Sequence, residues 1–191
     1  MSKRPELETI SLPDSPAAWE ALGFTVEDEA IALGGVRIRL GGTAALELRG
    51  LGAGIDLDGL PIGSSATPPP PPAEHPNGAT AVDHVVVLTP DIERTARKLA
   101  AAGLDHRPSS APQEFFVLGP CLLELAGPHG DSPRLWGLTL VARDLEAAAR
   151  RLGDRLGTVK AAVQPGRRIA TVTPAAGLTT ALALITPRNV N

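Results

Sequence analysis

The sequence predicts an α+β protein assembled from a repeated βαβββ unit, and two observations carry that prediction. From about Ala81 to Pro187 one order of apolar runs, helix starts and glycine stops occurs twice in tandem, with Asp91 and Asp144 in corresponding places about 53 residues apart. The stretch from Leu7 to Leu48 repeats the same order in a worn form, a third, degenerate N-terminal module.

In the first clear copy, Val82 to Thr89 is β-branched and bounded by Pro90, which reads as a strand. A helix opens at Pro90 or Asp91 with Glu93 in its first turn. Ile92, Ala96, Leu99 and Ala100 share one face, and Gly103 ends it. Phe115–Leu118 and Cys121–Ala126 are short strands joined by Gly119-Pro120, which is hairpin chemistry. In the second copy Leu135–Ala142 is a strand, and Leu145, Ala148, Ala149 and Leu152 line a helix that stops at Gly153. Thr158–Val163, Arg168–Val172 and Thr180–Ile185 follow as strands. The N-terminal copy offers Leu7–Leu12, a helix from Pro13 through Trp19 to Gly23, then Ala30–Leu33, Val36–Leu40 and Ala45–Leu48.

These elements divide the chain into a degenerate module over 1–63, a linker over 64–80, a module over 81–130, and a module over 131–191 that pairs with it. The linker holds five consecutive prolines, which impose an extended, donor-free path and make a stiff spacer, so His75 within it is expected to be inert. A ligand for a proline-recognising domain is the other reading of that run.

Composition excludes several classes. Apolar content of 43% and charged content of 20% are ordinary for a globular chain, and no apolar run reaches the length of a membrane-spanning helix. The N-terminus lacks the apolar core of a signal peptide, and a single cysteine, Cys121, cannot form an internal disulfide, so a cytoplasmic location is expected. Residues 1–80 carry 5 basic and 11 acidic side chains, whereas 81–191 carry 13 and 10, giving −6 against +3. The two parts either present differently charged solvated faces or attract each other. Dispersed basic residues and an aromatic content of 3% argue against nucleic-acid binding.

Asp83-His84 at the head of a strand, the Thr89-Pro-Asp-Ile-Glu93 helix start and Leu123-Glu124-Leu125 at a strand end, repeated in register, resemble the vicinal oxygen chelate superfamily. That superfamily includes glyoxalase I, extradiol dioxygenases and bleomycin-resistance proteins. The resemblance covers about residues 81–187 and extends weakly to 5–62. It implies that the paired modules form a cup-shaped mixed sheet around a small-molecule cavity. It also implies that the first and last strands of each module donate metal ligands, here His84 and Glu124, to a divalent ion such as Zn, Ni, Fe or Mn. Alignment of the copies places Gly137 at the position of His84 and Ala183 at that of Glu124, and neither side chain can bind a metal. In the N-terminal copy the first-strand position falls near Leu7, while Glu47 repeats the Leu-Glu-Leu context of Glu124.

Glu124 and His84 are therefore the catalytic candidates, with Glu124 as a general base of raised pKa. They are equally an incomplete metal site, or a structural histidine bonded to Asp83 and a salt-bridged glutamate. Arg167 and Arg168 must occupy opposite faces of a strand, so one could clamp a carboxylate or phosphate, the other reading being a surface salt bridge. Trp136, beside the vacated ligand position, and Phe116 are the remaining substrate-binding candidates. Cys121 reads as packing. The resemblance implies a glyoxalase-like protein acting on or binding a small organic molecule, as a lyase or isomerase. The alternatives are a metal-free sequestering protein of the bleomycin-resistance kind and a degenerate module without a site. A homodimer is expected if the N-terminal module pairs with its counterpart in a second chain; otherwise it covers its neighbours.

Overall fold

A computed structural model describes residues 4–107, 109 and 113–188. Met1, Ser2 and Lys3, on which the reading of the N-terminus partly rests, lie outside them. The fold is α+β, with two mixed sheets and three α-helices among the described residues.

The first sheet contains β1 (Glu6–Ser11), β2 (Ala30–Leu33), β3 (Val36–Arg39), β4 (Ala45–Arg49) and β5 (Ile62–Ser65), in the order β2-β3-β1-β4-β5. The second contains β6 (Ala79–Leu88), β7 (Asp105–Arg107), β8 (Gln113–Leu118), β9 (Cys121–Ala126), β10 (Arg134–Ala142), β11 (Lys160–Ala161), β12 (Arg168–Thr171) and β13 (Ala181–Ile185). Its order is β11-β12-β13-β10-β6-β9-β8-β7. Helices α1 (Pro16–Ala21), α2 (Ile92–Ala101) and α3 (Leu145–Leu152) each follow the first strand of a unit. Asp91 and Asp144 cap α2 and α3 by accepting from Arg94 N and Ala147 N at 2.9 Å.

The eight-stranded sheet has an internal two-fold that its pairing makes explicit. Strands β6 and β10 are antiparallel, with Val85 opposite Leu138, His84 opposite Thr139 and Val86 opposite Gly137. Moving 53 positions along the chain (84 to 137) exchanges the members of this set. Farther out, β6 runs parallel to β9 with Val86 beside Glu124, and β10 runs parallel to β13 with Thr139 beside Ala183. The register thus makes Gly137 and Ala183 the counterparts of His84 and Glu124.

The first sheet follows the same plan in reduced form. β1 is antiparallel to β4, β1 has β3 as its parallel neighbour, and β4 has β5 as its own. A shrunken pair of half-units results, in which the second half lacks its helix and two of its strands. Two expectations change with this topology. Thr9, not Leu7, follows the bulged residue of the first strand as His84 does, and Glu47 lies opposite Thr9 as Thr139 lies opposite His84. Arg39 takes the place of Glu124, because Ser11 is beside it as Val86 is beside Glu124.

Alternate residues of both sheets enter one continuous core. Ile10, Ile38 and Leu48 come from the first sheet, and Val85, Val87 and Leu140 from the second, with Trp19 and Leu99 of the helices between. The opposite face of each sheet points away from that core. The first sheet therefore packs on its neighbour within the same chain. Asp14, buried near α1, accepts from Thr179 N, Thr179 Oγ1 and Thr180 N at 2.5, 2.8 and 3.2 Å. Asp56 and Asp58 pair with Lys98 and Arg94 of α2 at 2.5 and 2.9 Å, so acids of the first part meet bases of the second.

The proline run is not a spacer between separate bodies. Ser65 ends β5 at one edge, and ten residues later (75 − 65) His75 is bonded to β2 at the other. A polyproline path covers about 31 Å in that length, enough to cross four strand spacings of about 4.8 Å. His75 is not inert but buried, and it anchors this strap. Its Nδ1 accepts from Thr25 N at 3.2 Å, which leaves Nε2 to donate to Ala32 O at 3.0 Å. Burial holds its pKa below the ordinary histidine value.

Candidate functional site: the outer face of the eight-stranded sheet

His84 and Glu124 come together on neighbouring parallel strands, His84 Nε2 lying 3.5 Å from Glu124 Oε2. Both sit on the face turned from the core, among Val86, Leu122, Thr139 and Ala183. Alternation explains the placement, since Leu123 and Leu125 are fully buried and the residue between them must point the other way. Burial pushes the pKa of Glu124 up, and the nearby His84 opposes that only in part.

A bulge arranges the other side of His84. Thr139 is opposite His84 while Leu140 is opposite Val82, so Asp83 is the extra residue. Bulges re-aim side chains, and here the carboxylate reaches His84 Nδ1 at 2.9 Å and Arg167 Nη2 at 2.7 Å. Burial alone would raise the Asp83 pKa, but hydrogen bonds from His84 and Arg167 and their charges hold it at about 2. An ionised carboxylate only accepts, so His84 Nδ1 is the donor in this bond, and Nε2 is the ring nitrogen that faces Glu124. Arg188 Nε lies farther from Asp83, at 3.7 Å. Position 136 is the two-fold counterpart of 83, and Trp136 is likewise bulged, between Leu135 and Gly137, and 45% exposed.

The remaining candidates separate. Arg167 is buried beside the pair, whereas Arg168 lies on the opposite side at the surface, paired with Glu146 of α3. Phe116 faces the core, fully buried and stacked on His106 at 4.8 Å, so it lines no outer surface. Its neighbour Phe115, opposite Glu124, takes that place. Alternation around Glu124 could have assigned Phe115; the sequence had no signal for the link between Arg167 and Asp83. Cys121 is buried packing, its thiol pushed up to about 12 by desolvation.

The donor set does not fit a resident metal. Gly137 and Ala183 offer no donor atoms, and Asp83 is committed to Arg167 and to the far nitrogen of His84. Among the described residues no group of three or more His, Cys, Asp and Glu could hold an ion. Two protein ligands fall short of the three or four that zinc sites use.

A cavity of about 640 Å³ lies elsewhere, between the proline strap and the first sheet, bounded by Pro70, Pro72, Arg37, Arg39 and Glu74. Among the described residues no helix is long and apolar enough to cross a membrane.

No protein-family model and no curated protein matches the chain. Solved structures do. A methylmalonyl-CoA epimerase from Mycobacterium tuberculosis is similar at 17% identity over 61% of this chain and 94% of that one, with a TM-score of 0.50. A fusion of a xylose isomerase-like TIM barrel with a 4-hydroxyphenylpyruvate dioxygenase is similar over the whole of this chain at 11% identity and a TM-score of 0.63. This chain spans 50% of the fusion's length. The chain shares the fold of these two proteins, which is the fold of the vicinal oxygen chelate superfamily.

Proposed function

We propose that this protein binds a small organic molecule on the outer face of the eight-stranded sheet and moves a proton on it, as a lyase or isomerase. The observation that carries this reading is the His84–Glu124 pair, 3.5 Å apart on an otherwise largely apolar face. A carboxylate whose pKa is raised by burial is a stronger base than one in water. Glu124 would take the proton from a carbon beside a carbonyl and return it to the same or a neighbouring atom. His84, held at Nδ1 by Asp83, keeps Nε2 3.5 Å from the carboxyl group of Glu124 and so orients the base. No step runs through a metal.

The test is hydrogen exchange into a panel of small 2-oxo acids and thioesters in D₂O, followed by loss of the α-proton NMR signal. Exchange by the native protein should fall about 100-fold or more in Glu124→Gln, the usual scale of a positioned base. A second reading is favoured by the apolar residues around the pair, Val86, Leu122 and Ala183: sequestration of an apolar ligand without turnover. Thermal stabilisation by panel members with no exchange would establish that reading and remove the enzyme.

A further inference from the structure

We infer that Arg167, supplied by the repeat that has lost both donor positions, is a positioning residue for His84 and acts through Asp83. This deepens the proposed proton-transfer role and rests on it for its purpose, although the geometry stands alone. The guanidinium is nearly enclosed, with its side chain 4% exposed. Its Nε and Nη2 both donate to Thr186 O, at 2.8 and 2.6 Å, just beyond the end of β13. The turn before it is closed by Arg167 N donating to Gln164 O at 3.2 Å and Ala162 N donating to Arg167 O at 2.9 Å. Next in the chain, Arg168 N donates to Thr186 Oγ1 at 3.0 Å. The planar fork is therefore fixed from behind and can present Nη2 in one direction only, toward Asp83 Oδ1 at 2.7 Å.

With Oδ1 taken by the arginine, Oδ2 is the oxygen left for His84 Nδ1 at 2.9 Å. A carboxylate clamped at one oxygen and accepting at the other holds the proton on Nδ1 in the neutral ring. Nε2 is the nitrogen left facing Glu124. The donor-free second repeat is thus not spare: through one turn it determines which nitrogen of the first repeat's histidine is free to work.

The readout is the tautomer, which packing alone would not move. In full-length protein with ¹⁵N-labelled histidine, long-range ¹H–¹⁵N spectra followed to rising pH until each ring shows the neutral pattern report the tautomer, and His84→Gln identifies the His84 signal. Native His84 should carry its proton on Nδ1. In Arg167→Met the carboxylate is no longer held at Oδ1 and can turn from the ring, so the single Nδ1–H signature should give way to a mixture of both tautomers, while His75, whose Nε2 donates to Ala32 O, keeps its own pattern as a check on the fold. Retention of the Nδ1 proton at His84 with His75 unchanged overturns the proposal.

Asp83→Asn serves if Arg167→Met does not fold. With Arg167 in place, the amide oxygen must face the guanidinium and its NH₂ must face His84, which forces the proton onto Nε2. An Nδ1 proton in Asp83→Asn would equally overturn the assignment. A failure of α-proton exchange would leave these spectra unchanged, so the two readings fail separately.

Discussion

Glu47 and Glu124 stand in the same tripeptide, Leu-Glu-Leu, and lie on the outward faces of the two sheets, yet they meet different surroundings. Glu124 has Val86 and Phe115 as strand neighbours and a histidine within 3.5 Å, and its pKa is pushed up by burial. Glu47 lies in a ladder of charges, with Arg39 at 3.5 Å and Thr9 opposite. The first sheet has turned its outer face into arginines and glutamates and drawn a proline strap across it. The second has kept that face largely apolar around one acid and one histidine. An acid among ion pairs is a solvated ornament; an acid among methyl groups is a strained base.

Three perturbations separate the faces, beginning with the largest. Gly137→His would restore a donor at the two-fold position of His84. A Cβ there would lie 2.6 Å from Ala181 O and 2.9 Å from Ala181 Cβ, against the backbone of a paired strand. It should cost about 3 kcal/mol in urea denaturation. A variant of native stability that binds zinc tightly would show that close strand packing does not keep the position empty.

His75→Ala should release the strap and cost about 1–2 kcal/mol, since it removes two hydrogen bonds and the contact with Phe24 at 5.5 Å. The same residue sets a pH dependence. Burial lowers its folded pKa below the unfolded 6.5, so the unfolded chain binds the proton more readily. Its contribution is complete above about pH 6.5 and is lost as the pH falls below that. In His75→Ala this part of the acid slope should disappear from a series of melts between pH 7 and 5.

The smallest effects compare the two glutamates directly. At neutral pH Glu124→Gln should stabilise the fold by about 1 kcal/mol, because it removes the cost of a desolvated charge. Glu47→Gln should destabilise it by about 0.5 kcal/mol or less, the scale of an exposed ion pair. Equal changes would mean that the two faces do not differ in polarity as the side chains suggest.

Much of the fold was legible because local rules and the repeat agree. Asp91 and Asp144 were readable as helix starts from sequence, and both cap helices. The correspondence of Gly137 with His84 and Ala183 with Glu124 could be read from spacing, and strand register reproduces it. The first sheet was harder, since losing strands breaks the spacing that alignment depends on. Glu47 looked like Glu124 because three letters match, but pairing partners define a position in a sheet and β4 is antiparallel to β1. Phe116 faces inward and Phe115 outward, a choice that alternation around Glu124 and the two-residue turn at Gly119-Pro120 were enough to make.

The bulges complete the comparison. In each sheet the first strand carries one extra acid, Glu8 or Asp83, buried and held by an arginine, Arg49 at 3.2 Å or Arg167 at 2.7 Å. The residue after it is Thr9 in one sheet and His84 in the other. By itself the sequence determined the repeated unit, the helix caps, and the correspondence of His84 and Glu124 with Gly137 and Ala183. Those properties depend on residues near in the chain or related by a fixed period. Only the tertiary structure decided that Arg167 reaches Asp83, that the prolines strap the first sheet, and that the two faces point apart. Each is a contact between residues far apart in sequence, fixed by which apolar faces bury each other, and local pattern carries no record of that choice.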